Sequence, residues 1–403
     1  MPDRPLLSVE QALERILATV RPLEPEQVSI EEALQRVLAE PVAADRDIPP
    51  LTNAAMDGYA VRGADVGQAP VRLQVIGEAA AGHVCAIPVV SGSAVRIMTG
   101  APLPPGADTV VQFEHTRPAE GQVEITRAYP SGKNVRQAGE DVCAGQRVLA
   151  PGQVLRPQEI GMLAAVGRVR VSVIRRPRVA IMGTGDEIVP PGTRPGPGQI
   201  RDANSYTVAA QVRRHGGIPL PLGIARDQQA LLRQGIQAAL AQEADMIITS
   251  GGVSAGDFDL VKQVLAAEGE MHFWSLNMKP GRPLAFGTIG GVPLLGLPGN
   301  PVAAMISTEL LARPAIRKMQ GFADWPWPAT TARLREPISR KDGRRHYLRV
   351  RLHPGAEGLE ASLTGDQGSG VLHSLVQADG LAVIPEDVDH LPARATVQVL
   401  LLQ

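Results

Sequence analysis

The strongest constraint on the fold is an alternation of short apolar runs, glycine-containing loops and helical stretches that begins at Arg178. Strands are predicted at 179–182, 218–222 and 246–249, and helices at 203–214, 228–242 and 258–268. Strands and helices that alternate in this way predict a parallel sheet with helices on both faces. Residues 177–325 are therefore expected to form a central, doubly wound α/β domain.

The rest of the chain has a different texture. Its 403 residues exceed what one hydrophobic core usually supports, so several domains are expected. Capping-box sequences at 8–11 and 29–32 predict two short helices, and a third helix is predicted at 158–166. From 45 to 137, short Val, Ile and Ala runs between Gly and Pro predict strands and turns. Strands return after the Trp-Pro-Trp-Pro segment 325–328.

Charge and cysteine content exclude several classes of protein. The 40 basic and 41 acidic residues give a net charge of -1, whereas a protein that binds nucleic acid normally has a basic excess. Cys85 and Cys143 are far apart and cannot form a disulfide framework or a Cys-x-x-Cys metal site. We expect no signal peptide and no membrane span, because no basic and apolar leader and no long apolar run is present. A cytoplasmic location is predicted.

Ligands of a parallel α/β sheet bind at the carboxyl ends of its strands, so the loops that follow the predicted strands are candidate binding sites. Two of them, 183–187 and 250–257, are glycine-rich and offer backbone N–H groups to a phosphate. Carboxylates that suit Mg²⁺ occur in or near these loops and in 223–227: Glu187, Asp227, Asp257 and Asp259. Asp227 and Asp257 each precede a predicted helix, so an N-cap role is an equal alternative for either one.

Other runs add cations and turn residues. Lys279-Pro-Gly-Arg-Pro283 places two cations in a stiff segment, which indicates an anion as its partner. In Leu297-Pro-Gly-Asn-Pro301, Asn300 is expected either to cap the following helix or to contact a ligand. Taken alone, the runs at 53–59 and 98–104 are compatible with plain turns.

Together these runs resemble the molybdopterin molybdenumtransferases, the MoeA family that includes the E-domain of gephyrin. The matching runs occur in family order and cover nearly the whole chain: Asn53-Ala-Ala-Met-Asp-Gly-Tyr-Ala60, Met98-Thr-Gly-Ala-Pro102, Gly139-Glu-Asp141, Gly183-Thr-Gly-Asp-Glu187, Ser250-Gly-Gly-Val-Ser254, Lys279-Pro-Gly281 and Leu297-Pro-Gly-Asn-Pro301. Each run is weakly specific by itself, whereas the ordered set is very specific.

The resemblance implies four domains. A discontinuous, elongated dimerisation domain would combine 1–44 with 139–176, and a β-rich insert would occupy 45–138. The α/β molybdopterin-binding domain of 177–325 and a C-terminal β-barrel of 326–403 would follow. The resemblance also implies a homodimer whose active cleft lies between the α/β domain of one chain and the β-rich insert of the other.

The implied reaction consumes adenylylated molybdopterin and molybdate, requires Mg²⁺, releases AMP and leaves molybdenum on the dithiolene sulfurs. No covalent protein intermediate is expected. Transient partners would be the adenylyltransferase that supplies the substrate and the maturation proteins of molybdoenzymes. The preference for molybdate over tungstate is left open.

The resemblance also assigns roles to residues of this sequence. The catalytic residues would be Asp57, Asp141, Glu187 and Lys279, with Lys279 facing the oxyanion. The substrate would be bound by Thr99, Arg136, Gly183, Thr184, Asp227, Ser250, Gly251, Gly252, Asn300, Arg349 and Ser369, and the metal by Glu187, Asp227, Asp257 and Asp259. Asp57, Thr99, Arg136 and Asp141 would reach the cleft from the partner chain. Ser275 follows Trp274 where many relatives have Lys, which removes one cation from the expected oxyanion site.

Two other functions compete with this interpretation. A molybdopterin adenylyltransferase would use the same α/β domain but would lack the insert that carries the runs at 53–59 and 98–104. A scaffold protein, like gephyrin at membrane receptors, would tolerate loss of the acidic residues. The acidic set is intact, so the enzyme is favoured.

Overall fold

A computed structural model describes residues 6–252 and 260–402. The chain divides into two compact units. One is Gln27–Val173, and the other combines the residues up to Glu26 with those from Ile174 onward. The finer division into four domains stays a prediction.

The described helices are short. In chain order they are α1 (Val9–Thr19), α2 (Gly63–Val66), α3 (Pro157–Ala165), α4 (Asn204–Arg214), α5 (Gln229–Ala241), α6 (Leu260–Glu268), α7 (Pro301–Ser307), α8 (Arg313–Met319) and α9 (His373–Val376), with a 3-10 turn at Phe113–His115 and a π-helical turn at Thr308–Ala312. Within 6–252 and 260–402, no helix has the length and apolar character that crossing a membrane requires.

Strands are the main type of secondary structure in the described residues up to Ile174. They are β1 (Pro25–Ser29), β2 (Val42–Ala43), β3 (Asn53–Ala54), β4 (Gly58–Val61), β5 (Val71–Ala79), β6 (Ser93–Ile97), β7 (Thr109–Gln112), β8 (Thr116–Ala119), β9 (Gln122–Ile125), β10 (Val135–Arg136), β11 (Arg147–Leu149) and β12 (Arg170–Ile174). Six of them form one sheet in the order β7-β4-β6-β5-β9-β8. The strands predicted between residues 45 and 137 are therefore present.

One predicted helix is absent. The capping box at Ser8 opens α1 as expected. The second one forms only its local contact, in which the Glu32 N–H donates to Ser29 Oγ at 3.3 Å, and the chain then makes turns instead of a helix. Gln35 has a left-handed φ of +60°, and its N–H donates to the carbonyl of Leu155. The prediction was wrong because distant backbone partners outcompete the helical pattern.

The second half of the chain contains two further sheets. Its strands are β13 (Arg178–Thr184), β14 (Ile188–Val189), β15 (Ile200–Arg201), β16 (Ile218–Ala225), β17 (Met246–Ser250), β18 (Glu270–Ser275), β19 (Met278–Lys279), β20 (Pro283–Ile289), β21 (Val292–Leu297), β22 (Ala329–Leu334), β23 (Ile338–Ser339), β24 (Arg345–Gly355), β25 (Gly358–Leu363), β26 (Gly380–Ile384), β27 (His390–Leu391) and β28 (Thr396–Leu401).

The α/β sheet has the order β16-β13-β17-β21-β20-β18. Its first four strands are parallel, as predicted, whereas β20 and β18 are antiparallel to their neighbours. The prediction of a wholly parallel sheet was therefore incomplete. The reason is the two-residue link between β20 and β21, Gly290-Gly291, in which both residues have positive φ. A link this short joins only antiparallel strands.

Helices cover both faces of this sheet. Along β13, Val179 and Ile181 pack into the core formed with α1, α4, α7 and α8, whereas Ala180 and Met182 pack into the core formed with α5 and α6. Successive side chains of a strand point to opposite faces, so an unbroken apolar run fits a strand that is buried on both sides. The doubly wound arrangement is confirmed.

The C-terminal strands close into a barrel. β24 pairs with β25, β25 with β22, β22 with β28 and β28 with β26, and β26 then pairs with β24. Its interior is apolar and includes Leu348, Val350 and Val399. The β-barrel expected from the family resemblance is confirmed.

Candidate functional site

The candidate site lies where the connections of the α/β sheet diverge. The chain runs from β13 to β16 on one side and then to β17 on the other side of β13. Crevices at such switch points, at the carboxyl ends of the strands, are the usual binding sites of doubly wound sheets. β13 ends at Thr184 and β17 at Ser250, so the structure brings together the predicted residues Gly183, Thr184, Ser250 and Gly251.

Backbone approach at this edge requires glycine. Gly251 has a φ of +93°, and a Cβ there would overlap the carbonyl oxygen of Thr184 and lie 2.9 Å from Thr184 Oγ1. A Cβ at Gly252 would lie equally close to Thr184 Oγ1. The N–H of Gly251 donates to Leu297 O, and Thr184 Oγ1 donates to Ser250 O at 3.3 Å. The two loops are thus locked together with little space for side chains.

Asn204, at the start of α4, is a further polar residue of the cleft, and the sequence did not indicate it. Its Nδ2 donates to Ser250 Oγ at 2.7 Å and to Gly299 O at 2.8 Å. The cleft, about 80 Å³, is lined by Thr184, Glu187, Ile188, Ile200, Arg201, Asp202, Ala203, Asn204, Ser250, Gly251, Gly299 and Pro301. In the sequence, Asn204 is a polar residue at the beginning of a predicted helix, which is the usual position of an ordinary N-cap.

The acidic loops after β13 and β16 are hydrogen-bonded to each other. The N–H of Asp186 donates to Asp227 Oδ2 at 3.4 Å, and the N–H of Asp227 donates to Asp186 Oδ1 at 3.3 Å. Gln228 occupies the N-cap position of α5, so Asp227 does not cap this helix. Glu187 lines the cleft.

The predicted metal ligands are described only in part. Asp257 and Asp259 lie outside the described residues. Among the residues on either side of that segment, no three His, Cys, Asp or Glu side chains cluster closely enough to hold a metal ion.

Asn300 is at the N-cap position of α7, but its side chain makes no capping bond. The capping alternative therefore does not account for it. The barrel loop that carries Ser369 lies nearby, because the N–H of Val302 donates to Ser369 O at 3.1 Å. A Cβ built at Gly370 would lie 4.0 Å from Asn300 Oδ1.

Lys279 belongs to a charged cluster that is centred on Asp342. Its Nζ donates to Asp342 Oδ2 at 3.2 Å, and Arg344 Nη2 donates to the same oxygen at 2.7 Å. His346 Nε2 is 2.7 Å from Asp342 Oδ1. Burial alone would raise the pKa of Asp342, but the bonds from His346 and Lys279 outweigh it and hold this pKa well below its usual range. An oxyanion would have to compete with Asp342 for Lys279.

Arg349 is fully buried, which the sequence did not indicate. Its guanidinium donates to the carbonyls of Asp366, Gln367 and Gly368 and to Ser374 Oγ. Burial lowers the pKa of Arg349. In this arrangement Arg349 fixes the loop that ends at Ser369.

Four predicted site residues lie in the unit Gln27–Val173: Asp57, Thr99, Arg136 and Asp141. Asp57 Oδ1 accepts hydrogen bonds from Thr99 Oγ1 and from the Thr99 N–H, both at 2.7 Å, and these bonds lower the pKa of Asp57. Arg136 and Asp141 line a separate cavity of about 490 Å³ together with Asn53. Asn53 is buried, and its Oδ1 has no hydrogen-bond partner among the described residues.

Comparison with known proteins gives matches along nearly the whole chain. Three family models match in succession: the MoeA N-terminal region (domain I and II) at residues 7–167, the probable molybdopterin binding domain at 180–318, and the MoeA C-terminal region (domain IV) at 331–402. The chain is 38% identical to the molybdopterin molybdenumtransferase of Nostoc sp., over 95% of this chain and 91% of that protein. It is 35% identical to that of Haemophilus influenzae, over 98% of both.

The chain belongs to the MoeA family. Two solved structures of the molybdopterin biosynthesis MoeA protein from Pyrococcus horikoshii have TM-scores of 0.85 and 0.83 to this chain, at 34% and 30% identity. Each comparison covers 99% of this chain and 100% of that one.

In this MoeA family member, the cleft brings the ends of two glycine-containing loops, Asn204 and carboxylates into one small volume. Amide donors suit phosphate oxygens, and carboxylates suit a divalent cation between phosphates. Among the predicted site residues, the structure gathers Gly183, Thr184, Glu187, Ser250 and Gly251 at one edge. The binding role of each residue stays a prediction.

Proposed function

We propose that this chain is a molybdopterin molybdenumtransferase that inserts molybdenum from molybdate into adenylylated molybdopterin with release of AMP. The observation that carries the proposal is the succession of three MoeA-family regions from residue 7 to residue 402. Relatives with this activity in their names are 35–38% identical over at least 95% of the chain. The cleft at the switch point of the sheet supports it with groups that suit phosphates.

Different groups of the chain would bind the phosphates and the molybdate. The glycine loops that follow Thr184 and Ser250 would hold the phosphates through backbone amides. Lys279 would attract molybdate, because a lysine ammonium offsets the charge of a dianion. Asp57 would remain ionised at neutral pH, since Thr99 donates two hydrogen bonds to one of its oxygens. No nucleophilic side chain is needed.

Mg²⁺ belongs to the proposal as a cofactor. Glu187 and Asp227 would hold it together with Asp257 and Asp259, and hard carboxylate oxygens are the ligands that Mg²⁺ prefers. When bound, the ion supplies positive charge that stabilises the phosphate of the leaving AMP. The exchange of hydrogen bonds between the Asp186 and Asp227 loops keeps two of these acidic segments adjacent.

We expect a cytoplasmic homodimer that receives its substrate from an adenylyltransferase and delivers its product to molybdoenzyme maturation proteins. An adenylyltransferase activity of the chain itself is the second candidate. The matches at 7–167 and 331–402 argue against it. Together they assign more than half of the chain to MoeA-family regions outside the molybdopterin-binding domain.

The test is incubation of the purified protein with adenylylated molybdopterin, molybdate and Mg²⁺, followed by chromatography of AMP. We expect AMP release that requires all three additions and stops with EDTA. ATP-dependent formation of adenylylated molybdopterin from molybdopterin, without AMP release on addition of molybdate, would instead identify an adenylyltransferase.

A further inference from the structure

A second and larger cavity lies beside the cleft in the α/β sheet. Its volume is about 520 Å³, within the range of small-molecule sites. Its walls are mainly apolar and include Ile181, Ile188, Ala209 and Pro221. Asp202 lines both this cavity and the cleft. The two spaces therefore share Asp202 as part of their lining.

Two polar atoms in this cavity lack partners. Asp202 is only 7% exposed, and its Oδ1 accepts a hydrogen bond from the Ser205 N–H at 3.0 Å. Within the described parts of the chain, Oδ1 is the only oxygen of the Asp202 side chain that accepts a hydrogen bond, and the buried Ser205 Oγ has no partner. Both atoms would lie 3.1 Å from a Cβ built at Gly183, so they converge on the same point of β13.

A buried polar atom without a partner, such as Ser205 Oγ, is costly, and a carboxylate oxygen that faces a cavity without a donor is free to accept from a ligand. A carboxylate oxygen accepts hydrogen bonds only, so the missing group must donate. The apolar walls favour a flat ring, and Tyr206, which is 62% exposed, offers an aromatic face at the cavity's edge. A flat heterocycle with N–H donors on one edge satisfies all of these conditions.

We propose that this cavity, which we call the Asp202 pocket, binds the 2-amino-4-oxopyrimidine ring of the pterin. This ring presents an amino group and a ring N–H side by side, and both donate toward a carboxylate. Adenine presents its amino group beside ring nitrogens that only accept, and these would face the lone pairs of Asp202. Asp202 is thus a specificity residue for the pterin half of the substrate, and the assignment rests on the proposed function.

The competing explanation is that Asp202 only caps the first turn of α4. Asn and Ser are equally good caps, so Asp202→Asn and Asp202→Ser should both keep the bond from the Ser205 N–H. Asp202→Asn also replaces acceptor capacity with an N–H₂ donor, which repels the donor edge of the ring. A capping role predicts unchanged ligand binding in both variants, whereas ring recognition predicts a loss in both.

The experiment titrates the full-length protein with 6-hydroxymethylpterin, followed by pterin fluorescence, and separately with AMP, followed by calorimetry. We expect both Asp202 variants to weaken pterin binding at least tenfold and to leave AMP binding within twofold. Asp379→Asn is the matched control. Its carboxylate also accepts a backbone N–H, from Leu352 at 2.8 Å, but it lies in the barrel. Urea unfolding of each variant checks that the fold is intact.

Three results would overturn the assignment: wild-type protein that fails to bind the pterin at millimolar concentration, Asp202 variants that bind it as tightly as wild type, or variants that lose AMP instead. The last result would make the pocket a site for the adenine ring. Failure of the proposed function is distinguishable, because it would remove molybdate-dependent AMP release while pterin binding to the Asp202 pocket persisted.

Discussion

The close approach of Gly251 to Thr184 predicts how the cleft responds to a single methyl group. In Gly251→Ala the new Cβ would overlap the Thr184 carbonyl oxygen and lie 2.9 Å from its hydroxyl, at a φ of +93°. The backbone conformation should cost about 1–2 kcal/mol. Displacing a packed strand end should add about 1–3 kcal/mol. We therefore expect a total loss of about 2–5 kcal/mol in the free energy of unfolding.

Gly223→Ala separates these two costs. Gly223 is in the neighbouring strand with a φ of +79°, but a Cβ there meets no atom within 4 Å. It should lose only the conformational part, about 1–2 kcal/mol. Urea unfolding followed by tryptophan fluorescence reports on the correct region, because Trp274, Trp325 and Trp327 all follow residue 174.

With a urea dependence of about 3 kcal/mol per molar, the midpoint of Gly251→Ala should fall by about 1 M and that of Gly223→Ala by about 0.5 M. The Gly251 variant should also lose most of its AMP release. Equal midpoint shifts in the two variants would refute the claim that Gly251 is needed for its contact with Thr184.

Four further predictions follow from the site and its surroundings. Lys279→Ala should raise the molybdate concentration for half-maximal AMP release tenfold or more, on the order of 1.4 kcal/mol. Arg344→Ala removes another partner of Asp342 and should not raise it. Ser275→Lys should lower this molybdate concentration. Asp259→Asn should abolish AMP release with little change in the urea midpoint, and normal turnover would remove Asp259 from the site. Asp342 has a depressed pKa, so its contribution to stability should be present above about pH 4 and disappear as the pH falls further. The difference in urea midpoint between wild type and Asp342→Asn should therefore shrink between pH 7 and pH 3. A constant difference would contradict this. Light scattering at micromolar concentration should give about twice the chain mass of 42.6 kDa, and a monomer would contradict the expected homodimer.

The parts of the fold that sequence predicts well are those with strong local signals. The strand Met246–Ser250 is buried at every position, and its apolar run is continuous in the sequence. The antiparallel pair β20 and β21 was also accessible, because Gly290-Gly291 stands between two apolar runs and favours a two-residue hairpin. The strand–helix alternation around it, by contrast, predicts parallel strands.

Other features depend on contacts that no local pattern shows. The capping sequence at Ser29 and Glu32 makes its expected bond, yet the backbone beyond it pairs with residues near Leu155. Asp202 and Asn204 stand at the start of α4, where polar residues are ordinary caps, and only the fold brings them to the strand ends. The family resemblance implies that Arg349 contacts an anion, and buried arginines are rare. Its neighbours in space are carbonyl groups of a loop about 17–19 residues away.

The central claim is that molybdenum is transferred to the pterin as AMP leaves. The most direct measurement quantifies both products in one sample. After incubation with adenylylated molybdopterin, molybdate and Mg²⁺, AMP is measured by chromatography and pterin-bound molybdenum by mass spectrometry of the separated pterin fraction. One molybdenum for each AMP, with neither formed when molybdate is omitted, is the predicted result. AMP release that is independent of molybdate and leaves the pterin without metal would contradict the account.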